Sequence, residues 1–529
     1  MSSIVSRSST GVIRMAPCGR SSSDPSARAT ALVRCYPAGA RPPMKSLAGR
    51  GWNRATPSPF AVSWVLLIVA SLYSMALLSL IPGLTHVDRA LHKPPSAVNW
   101  ALIATLLVGA VSTPLMGRVG DLVGHRVVLL FMIAGLGAGS LLGALAGSLP
   151  VLIAARVLQG LATALTPTAI ALVRRGLPEH SRVRAIGLIA AGDAIGGCLG
   201  FLIGGASGGS WHVPFWISFG ACVATVPVIL AVVPQVPGTV TGSPQRLRDV
   251  IDLPGATLLS TALVAFLLPI TQASQWGLGS GRSISLLVLS VISLVLFVRV
   301  ELARAQQPLL NVRFVAQRTI APAYLTLMLQ AAGIGALFLL WVAFAETPRR
   351  VGYGFGADAF GASIFLIPAF VVAAICSPLT AAALDRVRPV RMMAIGLGLA
   401  CVTYALIARD HTTQWEFYVG AGALGASSAF TLVGTFSQIS QSVPHEHSGT
   451  SLCMTTLFQT LGQSLGTALV TALLTISYVP GTSISQLSGY TYSFIALAGC
   501  AALGVLCARV TRQSMPGRVP GVLDGGREP

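Results

Sequence analysis

The stretch Gly117–Leu129 reads GRVGDLVGHRVVL and lies between two long apolar runs of the chain. Asp121 can pair with an arginine or with a helix N-terminus, and Arg126 is expected to stay on the aqueous side of a membrane. A tight turn and a close helix approach are permitted by three glycines, Gly117, Gly120 and Gly124. Together these residues predict a short charged loop where two membrane helices meet the surface.

The composition places the chain among membrane proteins. Its 529 residues are 53% hydrophobic and only 10% charged, with a mean hydropathy of +0.74. Soluble domains carry roughly 25% charged residues. The net charge of +19 lies in loops and tails, which favours an orienting role at the membrane over nucleic-acid binding.

Fourteen apolar runs follow one another from residue 61 to residue 508, and each has the ~20 residues that a membrane helix needs. Loops after even-numbered runs carry 15 Lys and Arg residues, and loops after odd-numbered runs carry 6. Because positive loops stay in the cytoplasm, both termini of this multi-pass protein are predicted to be cytoplasmic, in an inner or plasma membrane. Twelve helices would fit the same alternation.

The chain divides into five predicted segments of an all-α polytopic membrane protein. Residues 1–59 form a disordered basic tail, because they are rich in Ser, Arg and Pro and lack an apolar run. Six-helix bundles are predicted at 60–240 and 306–510. Two inserted helices with a linker occupy 241–305, and a second tail occupies 511–529.

A second copy of the charged stretch follows the tenth apolar run. Leu379–Arg391 reads LTAAALDRVRPVR, in which Asp385 takes the place of Asp121 and Arg386 follows it, without the glycines. Internal repeats are common in secondary transporters, where the substrate site lies near the membrane midplane between the repeats.

Several motifs in order resemble the major facilitator superfamily, and in particular its fourteen-helix drug:proton antiporters. The stretch 117–129 is similar to the family's loop signature between the second and third helices. AARVLQGLATAL resembles the fourth-helix pattern, and Gly449–Leu469 resembles the thirteenth-helix pattern. The fifth run resembles the antiporter signature through four glycines, Gly196, Gly200, Gly204 and Gly205.

The resemblance implies a major facilitator fold with two six-helix bundles and two inserted helices. It implies export of small amphipathic compounds, such as drugs, antibiotics or secondary metabolites, by proton antiport with alternating access. It also implies a conformational switch at the two charged stretches and a gating role for the glycine-rich helix. A uniporter, symporter or importer of the same fold remains an alternative, as does a membrane scaffold or sensor that does not transport.

Two positions depart from the family pattern. Phe201 occupies the place of the proline in the fifth-helix signature. Tyr73 stands where the first helix of relatives carries an acid that is tied to proton coupling or to cationic substrates.

Two charged residues inside the runs are the candidates for proton coupling. Arg156 is the only Lys or Arg inside a predicted run, and Asp193 is the only acid well inside one. Because a charge at the bilayer centre costs at least ~2.5–3.5 kcal/mol, each needs a partner or a function. We predict that Asp193 substitutes for the missing first-helix acid. The structural alternatives are an Arg156 bound to loop carbonyls and an Asp193 hydrogen-bonded near its helix start.

Polar and aromatic residues inside the runs are predicted to line a substrate cavity, since a lipid-facing amide is costly. The candidates are Tyr73, Gln330, Trp341, Gln459 and Gln463. No metal or cofactor site is predicted, because all eight histidines are assigned to loops and no phosphate-binding Gly-Lys-Ser/Thr loop is present. The chain is predicted to be a non-enzymatic monomer in the lipid bilayer, with a small molecule and protons as partners and no nucleic acid.

Overall fold

The computed structural model describes residues 58–513, except for 84–86, 88–89, 208–209, 237–252, 278, 304–316, 318–319, 411–412, 444–447 and 478–484. Within this part, fourteen helices are long and apolar enough to cross a membrane, so the predicted number of spans is confirmed. Of the two predicted tails, residues 1–57 and 514–529 lie outside the described part of the chain.

We number these helices α1 to α14 in chain order. The bounds are α1 Pro59–Leu78, α2 Pro95–Val123, α3 His125–Ala144, α4 Leu149–Gly176, α5 Glu179–Ala206, α6 Val213–Val232, α7 Leu253–Thr271, α8 Gly281–Ala303, α9 Ala321–Glu346, α10 Phe360–Ala383, α11 Pro389–Arg409, α12 Gln414–Ser442, α13 Ser448–Ile476 and α14 Leu487–Gln513.

The helix starts follow from local sequence. Proline stands in the first turn of several helices, among them α1, α6, α9 and α11, where its missing N–H costs nothing. The start of α12 is a capping box formed by Thr413 and Glu416. Helix α4 changes to a 3₁₀ turn at Leu161–Ala164, in the middle of the span.

The contacts group α1–α6 into one bundle and α9–α14 into a second bundle. The inserted α7 and α8 pack on each other, and α7 also contacts α2 and α13. One face of α8 exposes a row of aliphatic side chains, which suits contact with lipid tails: Val288, Val291, Ile292 and Val295. The two bundles and two inserted helices agree with the expected fold class, while the exact segment bounds stay a prediction.

The largest contacts between the bundles are made by two helix pairs, α2 with α13 and α5 with α10, and smaller contacts join α4 to α13 and α5 to α12. The chain alternates direction from helix to helix, so each pair is antiparallel and joins the same two ends of the molecule. We call the end that carries Asp121 the latch end, and the opposite end the remote end.

The four glycines of the predicted gating helix, α5, lie on two of its faces. Gly196, Gly200 and Gly204 lie against the α1 backbone, where a Cβ would overlap a carbonyl oxygen at each position. Gly205 faces the other bundle, because its Cβ would lie 2.6 Å from the ring of Phe360 in α10. Of these four glycines, the first three therefore hold α5 against α1 inside one bundle, and Gly205 lies between the bundles.

Candidate functional site

The predicted charged loop is in fact almost entirely helical. Gly117, Gly120 and Asp121 belong to the last two turns of α2, and Arg126 belongs to the first turn of α3. The only break is Gly124, whose φ of 105° lies in the region that favours glycine. The apolar run ends near residue 117 because the last turns of α2 lie against protein rather than lipid.

Asp121 joins the two bundles at the latch end. Its carboxylate, 1% exposed, accepts hydrogen bonds from the backbone N–H groups of Gly449 at 3.0 Å and Thr450 at 2.9 Å, and from the Thr450 hydroxyl at 2.9 Å. Arg175 of α4 donates to the same carboxylate at 2.7 Å. We call Asp121, Arg175, Gly449 and Thr450 the Asp121 latch. A carboxylate on the first N–H groups of α13 is a favourable arrangement, since helix N-termini attract anions.

Tight helix packing places Asp121 at this depth. A Cβ on Gly117 would lie 2.9 Å from both Cβ and Sγ of Cys453, so the glycine lets α2 approach α13 closely. Arg174 adds a second bridge, because it donates to the carbonyl of Val443 at the end of α12. The two bundles are therefore closed against each other at the latch end.

The partners of Asp121 were only partly visible in the sequence. An arginine and a helix N-terminus were expected, but Arg175 was counted only as a loop charge. Gly449 and Thr450 were seen only as part of a helix motif. His125 was assigned to a loop and instead begins α3, where it is 1% exposed with Nε2 3.5 Å from Asp121 Oδ1.

Arg126 acts within its own bundle. Its guanidinium donates to the carbonyl of Leu230 at 2.8 Å, near the end of α6. This contact satisfies a helix C-terminus, where cations are favourable. Arg126 therefore holds α3 to α6, and in the described residues it is not one of the side chains that bind across the interface.

The predicted second switch is not a latch in this structure. Asp385 and Arg386 lie in a turn after α10 and are both exposed. Among the described residues, the side chain of Asp385 makes no hydrogen bond or ion pair across the interface. The sequence echo of Asp121 is present, but its contacts are not.

Arg156 is completely buried in α4 and binds the first helix. It donates to the carbonyls of Ala76 at 3.1 Å and Leu77 at 3.2 Å, and to Gln159 Oε1 at 2.8 Å. Gln159 in turn donates to the hydroxyl of Ser140 at 3.0 Å. The partners are carbonyls of α1 and not of a loop, so the guanidinium links three helices of one bundle. Its Nε is buried without a partner among the described residues.

Asp193 lies halfway along α5 and faces the first helix. Its carboxylate accepts hydrogen bonds from the hydroxyl of Ser74 in α1 and, at 3.5 Å, from that of Thr166 in α4. Ser74 is the residue next to Tyr73, which occupies the place of the missing acid. The structure therefore brings Asp193 beside that place, about 21 Å along α5 from its first residue.

The 3₁₀ turn of α4 lies between Arg156 and the contact of Asp193 with Thr166. Thr163, within that turn, accepts a hydrogen bond from the Tyr73 hydroxyl at 3.1 Å. A mid-helix 3₁₀ stretch often marks a hinge. Tyr73 thus contacts the turn itself, and Asp193 contacts Thr166 just after it. Arg156 lies before the turn, and its guanidinium binds α1 within three residues of Ser74.

The predicted cavity residues divide into two groups. Gln330 is buried and accepts a hydrogen bond from Ser427 at 3.3 Å, and Gln459 and Gln463 are half-buried on α13. Trp341 is instead a core residue, which corrects its assignment to the cavity. It is fully buried, donates its ring N–H to the Phe417 carbonyl at 3.1 Å and packs edge-on against aromatic rings of the second bundle.

Comparison with known proteins gives a consistent result. The model of the Major Facilitator Superfamily matches residues 66–467. The Tetracenomycin C resistance and export protein of Streptomyces glaucescens is 28% identical over 431 residues, which cover 78% of this chain and 74% of that protein. The Multidrug resistance protein Stp of Mycobacterium tuberculosis is 26% identical over 372 residues, covering 69% and 67%. The crystal structure of the human organic anion transporter MFSD10 (TETRAN) shares the fold with a TM-score of 0.61 at 16% identity, over 86% of this chain and all of that one.

Proposed function

Since this chain belongs to the Major Facilitator Superfamily, we propose that it exports small amphipathic compounds from the cell in exchange for protons. It would do so by alternating access in the cell membrane, with both termini in the cytoplasm and the latch end facing the cytoplasm. Drugs, antibiotics and secondary metabolites are the proposed substrates, because the relatives above are named for resistance and export.

The observation that carries proton coupling is the contact between Asp193 and Ser74. It places a carboxylate from α5 beside the position on α1 where the family pattern has an acid. A carboxylate at the bilayer midplane is costly when charged, so it favours taking up a proton unless a partner stabilises the anion. The hydroxyls of Ser74 and Thr166 can donate to the anion and can accept from the protonated acid.

Arg156 supports the same role by fixing the geometry of α1. A guanidinium stays charged, and here it binds two consecutive carbonyls of α1 only two and three residues beyond Ser74. Motion of α4 at its 3₁₀ turn would move Arg156 relative to Thr166. In this scheme the protonation state of Asp193 and the packing of α1 against α4 change together.

The experiment measures proton movement in inverted membrane vesicles that hold a pH-sensitive dye and an inside-acid gradient. A panel of amphipathic aromatic drugs and dyes is added to the parent protein. We expect substrate-dependent proton release from the vesicles, strongly reduced in Asp193→Asn and retained in part in Asp193→Glu. The matched control is Glu179→Gln, which removes an exposed acid from the first turn of the same helix.

Substrate exchange without a pH gradient separates coupling from folding. Asp193→Asn should still exchange labelled substrate, because only the proton step is removed. Full proton release in Asp193→Asn would show that another group carries the proton. Substrate accumulation by the parent without proton release would replace antiport with uniport.

A further inference from the structure

The remote end contains a cluster of three aromatic rings shared by the two bundles. Phe201 of α5 packs against both Phe338 of α9 and Phe370 of α10, with ring centroids 5.9 and 5.6 Å away. Phe338 and Phe370 stack on each other at 5.9 Å. Phe201 is 1% exposed, although it is the only ring of the three that comes from the first bundle.

The three rings pack next to α1 as well as α5. A Cβ on Gly197, one turn before Phe201, would lie 2.5 Å from the Phe370 ring and 3.2 Å from Leu78 of α1. Leu78 and Ile81 also pack against the same core as the three rings. Two helices of the first bundle thus meet two helices of the second bundle at one apolar point.

The position of the cluster along the helices assigns it to the remote end. Phe201 is 22 residues after Glu179, about 33 Å from the latch end at 1.5 Å per residue. Asp193 lies about 12 Å nearer to the latch end on the same helix. The rings therefore stand between the Asp193 carboxylate and the remote surface.

We propose that Phe201, Phe338 and Phe370 form an aromatic gate that closes the transport path at the remote end. To open that end, α5 must move away from α10, which withdraws Phe201 from the two rings of the second bundle. The separation exposes all three rings at once, and aromatic rings contribute a large part of packing energy. The gate therefore stays closed until a bound molecule or a shift of the bundle replaces those contacts.

The gate also gives a physical role to the residue that departs from the family signature. A proline at position 201 would have no aromatic ring to pack against Phe338 and Phe370. The glycine at 197, one turn earlier, leaves room for the edge of the Phe370 ring. A large residue at 201 and a small one at 197 form one complementary surface toward α10.

The test measures the separation of the bundles at the remote end by pulsed electron paramagnetic resonance. The full chain, with its nine cysteines replaced, carries spin labels at Ser148 and Gln414 in lipid nanodiscs. Both residues are exposed, and they begin α4 and α12 at the remote end of each bundle. The measurement uses no substrate and no pH gradient, so its outcome is independent of proton antiport.

We expect Phe201→Ala and Phe370→Ala to add a population at longer distances than the labelled parent shows. Gly197→Ala should shift the distribution in the same direction, because its methyl group would push Phe370 away without removing a ring. Phe201→Leu should stay near the parent. The matched control is Phe417→Ala, which removes an equally buried ring whose aromatic partners all belong to the second bundle.

Unchanged distances in Phe201→Ala, Phe370→Ala and Gly197→Ala would overturn the gate. An equal lengthening in Phe417→Ala would also overturn it, since the effect would then come from general loosening of the core. If Phe201→Ala does not fold, the gate is tested by Phe370→Ala, which changes a half-buried residue, and by Gly197→Ala in the same labelled background.

Discussion

Asp121 lies in the last turn of α2 and Asp385 just after α10, the second helix of each bundle, but of these two acids only Asp121 joins the bundles. Asp121 is 1% exposed and accepts hydrogen bonds from α4 and α13. Asp385 is exposed, and none of the described residues binds its side chain across the interface. The comparison teaches that an acidic residue at the repeated position is not sufficient to make a latch.

The difference lies in where the facing helix begins. Gly117 in α2 lies against Cys453 in α13, and Ala381 in α10 lies against Gly187 in α5. Helix α13 begins at Ser448, so its free N–H groups lie within one turn of the contact. Helix α5 begins at Glu179, two turns before Gly187, so near this contact its N–H groups are already bonded within the helix.

The largest effect is expected for Asp121→Asn compared with Asp385→Asn. The first change removes the charge that binds Arg175 and puts an amide group against backbone N–H donors. Loss of one partner from a buried ion pair costs about 3–5 kcal/mol. We expect a clear drop of the thermal unfolding midpoint in detergent for Asp121→Asn and none for Asp385→Asn. Equal midpoints for the two variants would remove the basis of the comparison.

A smaller effect is expected for Thr450→Val, which keeps the backbone N–H but deletes one donor to Asp121. A hydrogen bond to a charged group contributes about 1.5–3 kcal/mol. The control is Thr475→Val on the same helix, since Thr475 is exposed and bonds only to the Thr471 carbonyl. The unfolding midpoint should fall for Thr450→Val alone, and a matching fall in the control would point to helix propensity instead.

The glycine can be moved from one helix to the other at the α2–α13 contact. Gly117→Ala overpacks against Cys453, which costs about 1–3 kcal/mol. The double change Gly117→Ala with Cys453→Gly reproduces the arrangement of the α10–α5 contact, where alanine and glycine are reversed. We expect the double variant to unfold at a higher temperature than Gly117→Ala. A double variant no more stable than Gly117→Ala would contradict this prediction.

The sequence predicted the features that depend on local pattern. The fourteen helices follow from apolar length, and the burial of Arg156 follows from its place inside an apolar run. The approach of Asp193 to α1 was predicted only through its substitution for the missing first-helix acid. Its contact with Ser74 agrees with that position, and its role in proton transfer stays a prediction.

The features that were missed depend on contacts between distant parts of the chain. Asp121 and Gly449 are 328 residues apart, and no local pattern states which helix start faces which carboxylate. Trp341 was wrongly assigned to the cavity because the local sequence does not tell whether an aromatic residue of a membrane helix faces a cavity, the lipid or the protein core. The adjacent glycines Gly204 and Gly205 face different helices, α1 and α10, which the spacing of the glycines alone does not reveal.

The smallest effect is expected for Arg126→Ala, and it separates contacts within a bundle from contacts between bundles. A cation at a helix C-terminus contributes about 0.3–1 kcal/mol, so the unfolding midpoint should fall slightly. Changes at independent sites add, whereas changes within one network do not. We therefore expect Arg126→Ala to add to Asp121→Asn, and Arg175→Ala to cost less in the Asp121→Asn background than alone. Additivity of Arg175→Ala with Asp121→Asn would contradict the latch, because the 2.7 Å ion pair would then contribute nothing of its own.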